Sequence, residues 1–292
     1  MRALVSPVPP HLTGWRAEGG LEMRPRVVPS IAATDAPAVP GGHGHQGDTI
    51  VARLEAIEPA PACGPRPQTP PDARRLFATR RARIFNLDGT LVHTLPDLAA
   101  ALNQALREMG FQAVPQTLVR ASLHAGLEGS VAAAMAYLRL PQAVQPALLA
   151  RYRRRYNAGL TLRSAPYDGV PELLAQLSAN GVPMAVCSNK PQRVAEDLLA
   201  ALGLLGHFTI VVGADTCGER KPHPAPLRRA LVRLGTRQAE TVLVGDSAVD
   251  AACAHAAEVA HLWFANGYGA PPMSTPWRFH SYRDLPGGVL RA

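Results

Sequence analysis

From residue 166 to residue 264 the chain alternates helical stretches with short apolar runs, and this alternation limits the possible folds more than any other feature. Residues 170–180 read as a helix stopped by Gly181, and 182–187 as a strand. A helix over 192–202 ends at Gly203, a strand covers 207–213, and a helix over 226–234 ends at Gly235. Then come a strand at 241–245, a helix at 248–257 and a last strand at 259–264. Strands separated by whole helices cannot pair through tight hairpins, so they lie parallel with helices on both faces. The predicted class is α/β, a parallel sheet.

A further strand opens the folded region. In the stretch 83–95, R-I-F-N-L-D-G-T-L-V-H-T-L, the residues Ile84, Phe85 and Leu87 make a compact apolar run that Asp88-Gly89 breaks. Residues two apart on a strand point the same way, so Asn86 and Asp88 emerge side by side with Thr90 just beyond. Taken alone, the stretch favours the plainer reading of a buried strand followed by an ordinary Asp-Gly turn. The other strand ends change that balance, because open parallel sheets collect ligands outside the carboxyl ends of their strands. The second strand leads to Ser188, Asn189 and Lys190, and the third to E-R-K-P-H-P with Lys221. The fourth leads to Asp246 and Ser247, with Asp250 one helical turn later. Singly these are helix caps or surface charges. Jointly, carboxylates for a hard cation plus a hydroxyl and a lysine for phosphate oxygens describe a phosphoryl-transfer site.

Between the first strand and the rest lies a helical block. A helix opens at Pro96-Asp97, carries Leu98, Leu102, Ala105, Leu106 and Met109 on one face, and stops at Gly110. Two more are expected at 131–138 and 147–156, with Tyr152 and Tyr156 on a stripe and Arg151, Arg154 and Arg155 on a solvated face. Residues 96–162 therefore form an expected helical cap inserted in a core of 81–95 and 163–292. Residues 1–80 hold nearly half of the 28 prolines and a Gly-His-rich patch, and are expected to be a disordered extension.

Net charge is +8, which raises nucleic acid as a partner, but the arginines are scattered without interleaved aromatics. Attraction to small phosphorylated anions is the inference, and nucleic acid is not expected. Cys63, Cys187, Cys217 and Cys253 lack C-x-x-C spacing, which predicts reduced thiols, no zinc site and a cytoplasmic location. No apolar run is long enough to cross a membrane.

The sequence from Arg83 onward resembles the haloacid dehalogenase-like (HAD) phosphatases, and within them the phosphoglycolate phosphatase type. The resemblance is carried by N-L-D-G-T-L-V-H-T-L-P-D-L, P-Y-D-G-V-P-E-L-L, C-S-N-K-P, E-R-K-P-H-P, V-G-D-S-A-V-D and N-G-Y-G. It implies a Rossmann-like sheet core with an inserted α-helical cap, and a phosphomonoesterase acting on a small metabolite such as 2-phosphoglycolate, as a monomer or homodimer. In the implied mechanism the first carboxylate of D-x-D attacks phosphorus to form an aspartyl-phosphate. Asp88 then protonates the leaving oxygen and later activates water. Ser188 and Lys221, with Thr90 and Asn189, hold the phosphate. Magnesium is held at the positions of Asn86, Asp88, Asp246 and Asp250. In the cap, the loop H-A-G-L-E-G with His124 and Gly126 is the candidate substrate contact.

The chain departs from the family where it matters most. The nucleophile position is Asn86, and a neutral carboxamide is a poor nucleophile and a weaker magnesium ligand than a carboxylate. Three accounts stay open: a natural pseudo-phosphatase that binds phosphorylated ligands, an engineered trap or a sequence error, or an unrecognised rescue. Deamidation is a poor rescue, since the bulky Leu87 hinders ring closure. The expectation is a phosphatase architecture with impaired turnover; the alternative is an inactive homologue that binds phosphometabolites. Two lesser departures are His93-Thr94 in place of Asp-Ser, and Glu258 in place of a turn-forming Gly.

Overall fold

The structure, a computed structural model, describes residues 69–272 and 276–288. The expected disorder of residues 1–68 lies outside these. The fold is α/β. A six-stranded sheet runs in the order β5-β4-β1-β6-β7-β8, every pair parallel. Its strands are β1 Ala82–Phe85, β4 Met184–Cys187, β5 Ile210–Val212, β6 Thr241–Gly245, β7 Ala260–Phe264 and β8 Arg278–Phe279. The strand expected at 207–213 is shorter because residues 205–207 form a 3₁₀ turn. The edge strand β8 escaped the sequence reading: two residues carry no periodicity, and only pairing with β7 makes them a strand.

Helices α6 Val170–Ala179, α7 Gln192–Ala201, α8 Ala225–Leu234 and α9 Ala248–Ala256 connect and cover the strands. Alternate strand residues serve opposite faces. Phe85, Val186 and Val244 therefore join Leu174 and Leu198 in one apolar cluster, while Ile84, Cys187 and Leu243 join Leu227 and Ala254 in the other. Registry aligns the strand ends: Phe85 lies opposite Val186 on one side and Val244 on the other. The chain segments leaving β1, β4 and β6 thus share one edge.

The chain leaves and rejoins the sheet through a two-stranded antiparallel ribbon, β2 Val92–His93 with β3 Ala165–Pro166. Between them lie α2 Leu95–Glu108, α3 Gln116–Ser122, α4 Gly126–Leu138 and α5 Gln145–Asn157. They bury Leu98, Leu102, Leu106, Val131, Met135 and Tyr152 in a cluster of their own. Helix α3 was not legible in the sequence, since only Leu118 and Val119 of its seven residues are buried. Helix α4 begins five residues earlier than the expected 131, at a glycine that gave no start signal.

One boundary needs correction. The extension expected to run disordered to residue 80 ends sooner, because α1 Pro71–Thr79 is a helix with Ala73, Leu76, Phe77 and Ala78 buried. Leu76 and Phe77 belong to the same cluster as Phe85, and the Arg83 guanidinium lies 4.5 Å over the Phe77 ring. Proline-rich surroundings hid four apolar positions that only packing against the rest of the fold buries. Leu76→Ala should therefore lower unfolding free energy by about 2 kcal/mol or somewhat more, read from the urea midpoint.

Helix α9 ends in a residue that suits its place poorly. Glu258 has φ +60° and donates from its N–H to the His255 carbonyl (3.1 Å), while Val259 donates to Ala254 (2.9 Å). This is the left-handed stop that Gly235 supplies after α8 at φ +62°. An L side chain in that region is crowded against its own carbonyl. Glu258→Gly should raise stability by about 1 kcal/mol, visible as a higher melting temperature.

Candidate active site

The side chains at the shared edge are wired to one another. Lys221 Nζ is held by three acceptors: the Cys187 carbonyl at 2.7 Å, Asp250 Oδ1 at 2.6 Å and Asn86 Oδ1 at 3.1 Å. The Asn86 amide nitrogen donates to Asp246 Oδ1 (3.0 Å) and to the backbone carbonyl of Asp88 (3.2 Å). Thr90 donates its hydroxyl to the same Asp246 oxygen at 2.6 Å, and the Tyr268 N–H donates to the other at 2.9 Å. Across the edge, Lys190 Nζ lies 3.1 Å from Asp88 Oδ1 and donates to the Tyr156 hydroxyl of α5 at 2.9 Å. Thr94 donates to Asp88 Oδ1 at 2.7 Å. The Ser188 hydroxyl accepts from the Lys190 N–H (3.2 Å) and borders the same edge.

The N-G-Y-G stretch closes this wiring from above. A Cβ at Gly267 would sit 2.2 Å from Asp246 Cβ and 2.6 Å from the Gly89 carbonyl oxygen, so only glycine lets the loop reach the carboxylate. Arg120 of α3 donates to the Gly267 carbonyl at 2.8 Å, tying a helix of the inserted block to that loop.

Charge is distributed unevenly. Lys221 and Asp250 are both almost fully enclosed, and each holds the other ionised: burial opposes both charges, but the ion pair prevails, raising the lysine and lowering the carboxyl. Burial also disfavours charge on Lys190, and Asp88 with the Tyr156 hydroxyl outweighs it. Asp246 has no ammonium of its own. Burial and the nearby Asp250 charge push its carboxyl up to about 6, despite three hydrogen-bond donors.

A cavity of about 680 Å³ opens above the edge, lined by Asn86, Asp88, Ser188, Lys190, Lys221 and Asp246. From the inserted helices, Arg120, His124, Gly126, Arg153 and Tyr156 complete the lining. His124 and Gly126, the expected substrate loop, thus border the same space as the strand-end groups. Two expected phosphate ligands are placed otherwise. Thr90 is fully buried, absent from the lining, and spends its hydroxyl on Asp246. Asn189 borders the cavity, but its amide nitrogen donates to the Lys221 carbonyl (2.9 Å) and braces the loop that carries the lysine. Asp250, expected at the metal, gives one oxygen to Lys221 and the other to Ser247 (2.6 Å). Lys190, Thr94, Tyr156, Tyr268 and Arg120 received no role in the sequence reading. Lys190, directly after Ser188-Asn189 at a strand end, carried the one signal that could have been followed.

Magnesium takes oxygen ligands at about 2.0–2.1 Å in an octahedron. Asp246 Oδ1 and the Asp88 carbonyl are suitable oxygens, but the amide nitrogen of Asn86 faces both, and its oxygen is turned to Lys221. As folded with Asn86, these residues do not fit the ion.

A family model described as haloacid dehalogenase-like hydrolase matches residues 83–264. A phosphoglycolate phosphatase from Rhodospirillum rubrum is 39% identical over 201 residues, which is 67% of this chain and 83% of that protein. A second, from Xanthomonas campestris pv. campestris, is 36% identical over 186 residues, 63% of this chain and 83% of that protein. Among solved structures, a predicted phosphoglycolate phosphatase from Haemophilus somnus superposes with TM-score 0.67 at 29% identity, covering 70% of this chain and 96% of that one. An Asp-to-Asn mutant of CbbY from Rhodobacter sphaeroides, in complex with xylulose-(1,5)bisphosphate, shares the fold with TM-score 0.62 at 21% identity, covering 73% and 100%.

Proposed function

The chain belongs to the haloacid dehalogenase-like hydrolase family, and from that premise we propose that it carries a phosphomonoesterase site of the phosphoglycolate phosphatase type whose turnover Asn86 impairs. The reading rests above all on Lys221, Ser188, Asp88 and Asn86 bordering one cavity at the ends of neighbouring strands. Lys221, on exchanging its bond to Asn86 for one to the ligand, and Ser188 hold the phosphoryl oxygens of a small phosphorylated metabolite, in a site where two ammonium groups are fixed before the ligand arrives. Lys190 and Thr94 orient Asp88, whose carboxyl, when protonated, gives its proton to the leaving oxygen and then takes one from water. Asn86 stands where the attacking carboxylate belongs. Its oxygen already accepts from Lys221, and the neutral amide, its nitrogen lone pair delocalised into the carbonyl, is a poor nucleophile.

The test is phosphate release from 2-phosphoglycolate and a small panel of phosphoesters, in magnesium, for this chain and for Asn86→Asp. Turnover confined to the variant supports the reading, and equal, fast rates from both refute it. The Lys221–Asn86 hydrogen bond favours a second reading, a protein that binds phosphometabolites without hydrolysing them. Titration calorimetry with 2-phosphoglycolate separates the two: tight binding by this chain, with no turnover even after Asn86→Asp, favours the binder. A cytoplasmic location belongs to the proposal; among the described residues no helix is long and apolar enough to cross a membrane.

A further inference from the structure

We propose that Asn86 does more than remove a nucleophile: its amide N–H group keeps the divalent-cation site closed, so that the ligand-free protein binds magnesium or manganese poorly and needs neither for stability. The proposal rests on the site assignment above, in which a cation would lie between Asp246 and the Asp88 carbonyl.

The amide orientation follows from its neighbours. In the observed sense all three polar contacts of Asn86 are attractive: the oxygen accepts from Lys221, and the nitrogen donates to two oxygens. Turned over, the nitrogen would face the Lys221 ammonium, and the oxygen would face the carboxylate and the carbonyl. All three contacts would become repulsive. Lys221 cannot retreat to relieve them, because Asp250 and the Cys187 carbonyl hold it from behind at 2.6 and 2.7 Å. A cation that recruits Asn86 through its oxygen must therefore turn the amide against Lys221. A cation that does not recruit it must displace an N–H from two of its oxygen ligands. Asp246 Oδ1 is already shared with the Thr90 hydroxyl at 2.6 Å, so the site is saturated by hydrogen bonds and lacks the electron-rich vacancy a cation fills.

With Asp at position 86 the balance reverses. The oxygens of residue 86, Asp246 and the Asp88 carbonyl would then face one another with no N–H between them; Lys221 and Thr90 would still donate from the sides, but two carboxylates this close repel unless a cation lies between them. The carboxylate form should need the cation for stability, while the carboxamide form replaces it internally.

The experiment compares the full chain with Asn86→Asp and Asn86→Ala, without any phosphorylated ligand. Manganese binding is followed by electron paramagnetic resonance, and melting temperature is recorded in EDTA and in excess magnesium. Asn86→Asp is expected to bind manganese at least about tenfold more tightly than the native chain, to melt lower in EDTA, and to regain several degrees with magnesium. The native melting temperature should barely respond. Asn86→Ala removes the N–H group without adding a charge, and should bind manganese more tightly than the native chain although it has lost a side-chain oxygen. Manganese binding by the native chain equal to Asn86→Asp, or tighter than Asn86→Ala, would overturn the proposal, as would an equal magnesium response of the native chain and Asn86→Asp. None of these readouts needs turnover, so failure here leaves the phosphatase reading to be judged by its own assay.

Discussion

Asn86→Asp is expected to raise phosphate release from 2-phosphoglycolate by at least about 10³-fold at saturating substrate, with most of the change in kcat. The size follows from how much an attacking group contributes where chemistry is otherwise very slow. Phosphate monoesters hydrolyse so slowly in water that enzymes supply up to about 10²¹-fold. Removing a nucleophile from a site whose other members act as a unit leaves only what positioning and electrostatics supply. In this chain Lys221, Ser188 and Asp88 remain at the cavity, so ligand binding survives while the attacking step does not. The substrate's KM should therefore move far less than kcat. A rise below about tenfold would mean that another group attacks phosphorus in this chain, or that this site does not hydrolyse phosphomonoesters.

Lys221→Met should lower unfolding free energy by about 3–5 kcal/mol, and weaken phosphate binding as well. The Lys221 side chain is 2% exposed and that of its Asp250 partner 1%, so the variant strands a carboxylate with little solvent to stabilise it. Asp246 lies close enough to add its own charge to the strain. Natural domains are stable by only about 5–15 kcal/mol, so much of the total would go. Urea unfolding measures the loss. The double variant Lys221→Met/Asp250→Asn should recover part of it, because the stranded charge is then gone. A loss under about 1 kcal/mol for the single variant would show that the pair is better solvated than its enclosure indicates.

Much of this protein was legible from residue order. Apolar runs of strand length alternated with helices stopped by Gly181, Gly203 and Gly235, and each became a strand or helix within a residue or two, except the 3₁₀-shortened β5. The elements that were missed are those in which the local pattern is weak: α1 among prolines, α3 with two buried residues, and β2, β3 and β8 with two residues each. Such segments take their form from the surface they pack against.

At the site the division is sharper. The chain order alone places Asn86, Ser188, Lys221 and Asp246 at successive strand ends, since parallel strands joined by helices must all finish at one edge. It could not say that Thr90 serves Asp246, that Asn189 braces the Lys221 loop, or that Asp250 belongs to Lys221. Nor could it reveal that Tyr156, 34 residues from Lys190, would share that lysine with Asp88. Strand and helix follow from periodicities carried within a few residues. Which oxygen a given donor meets depends on distances of tenths of an ångström between distant parts of the chain, and only their packing sets those.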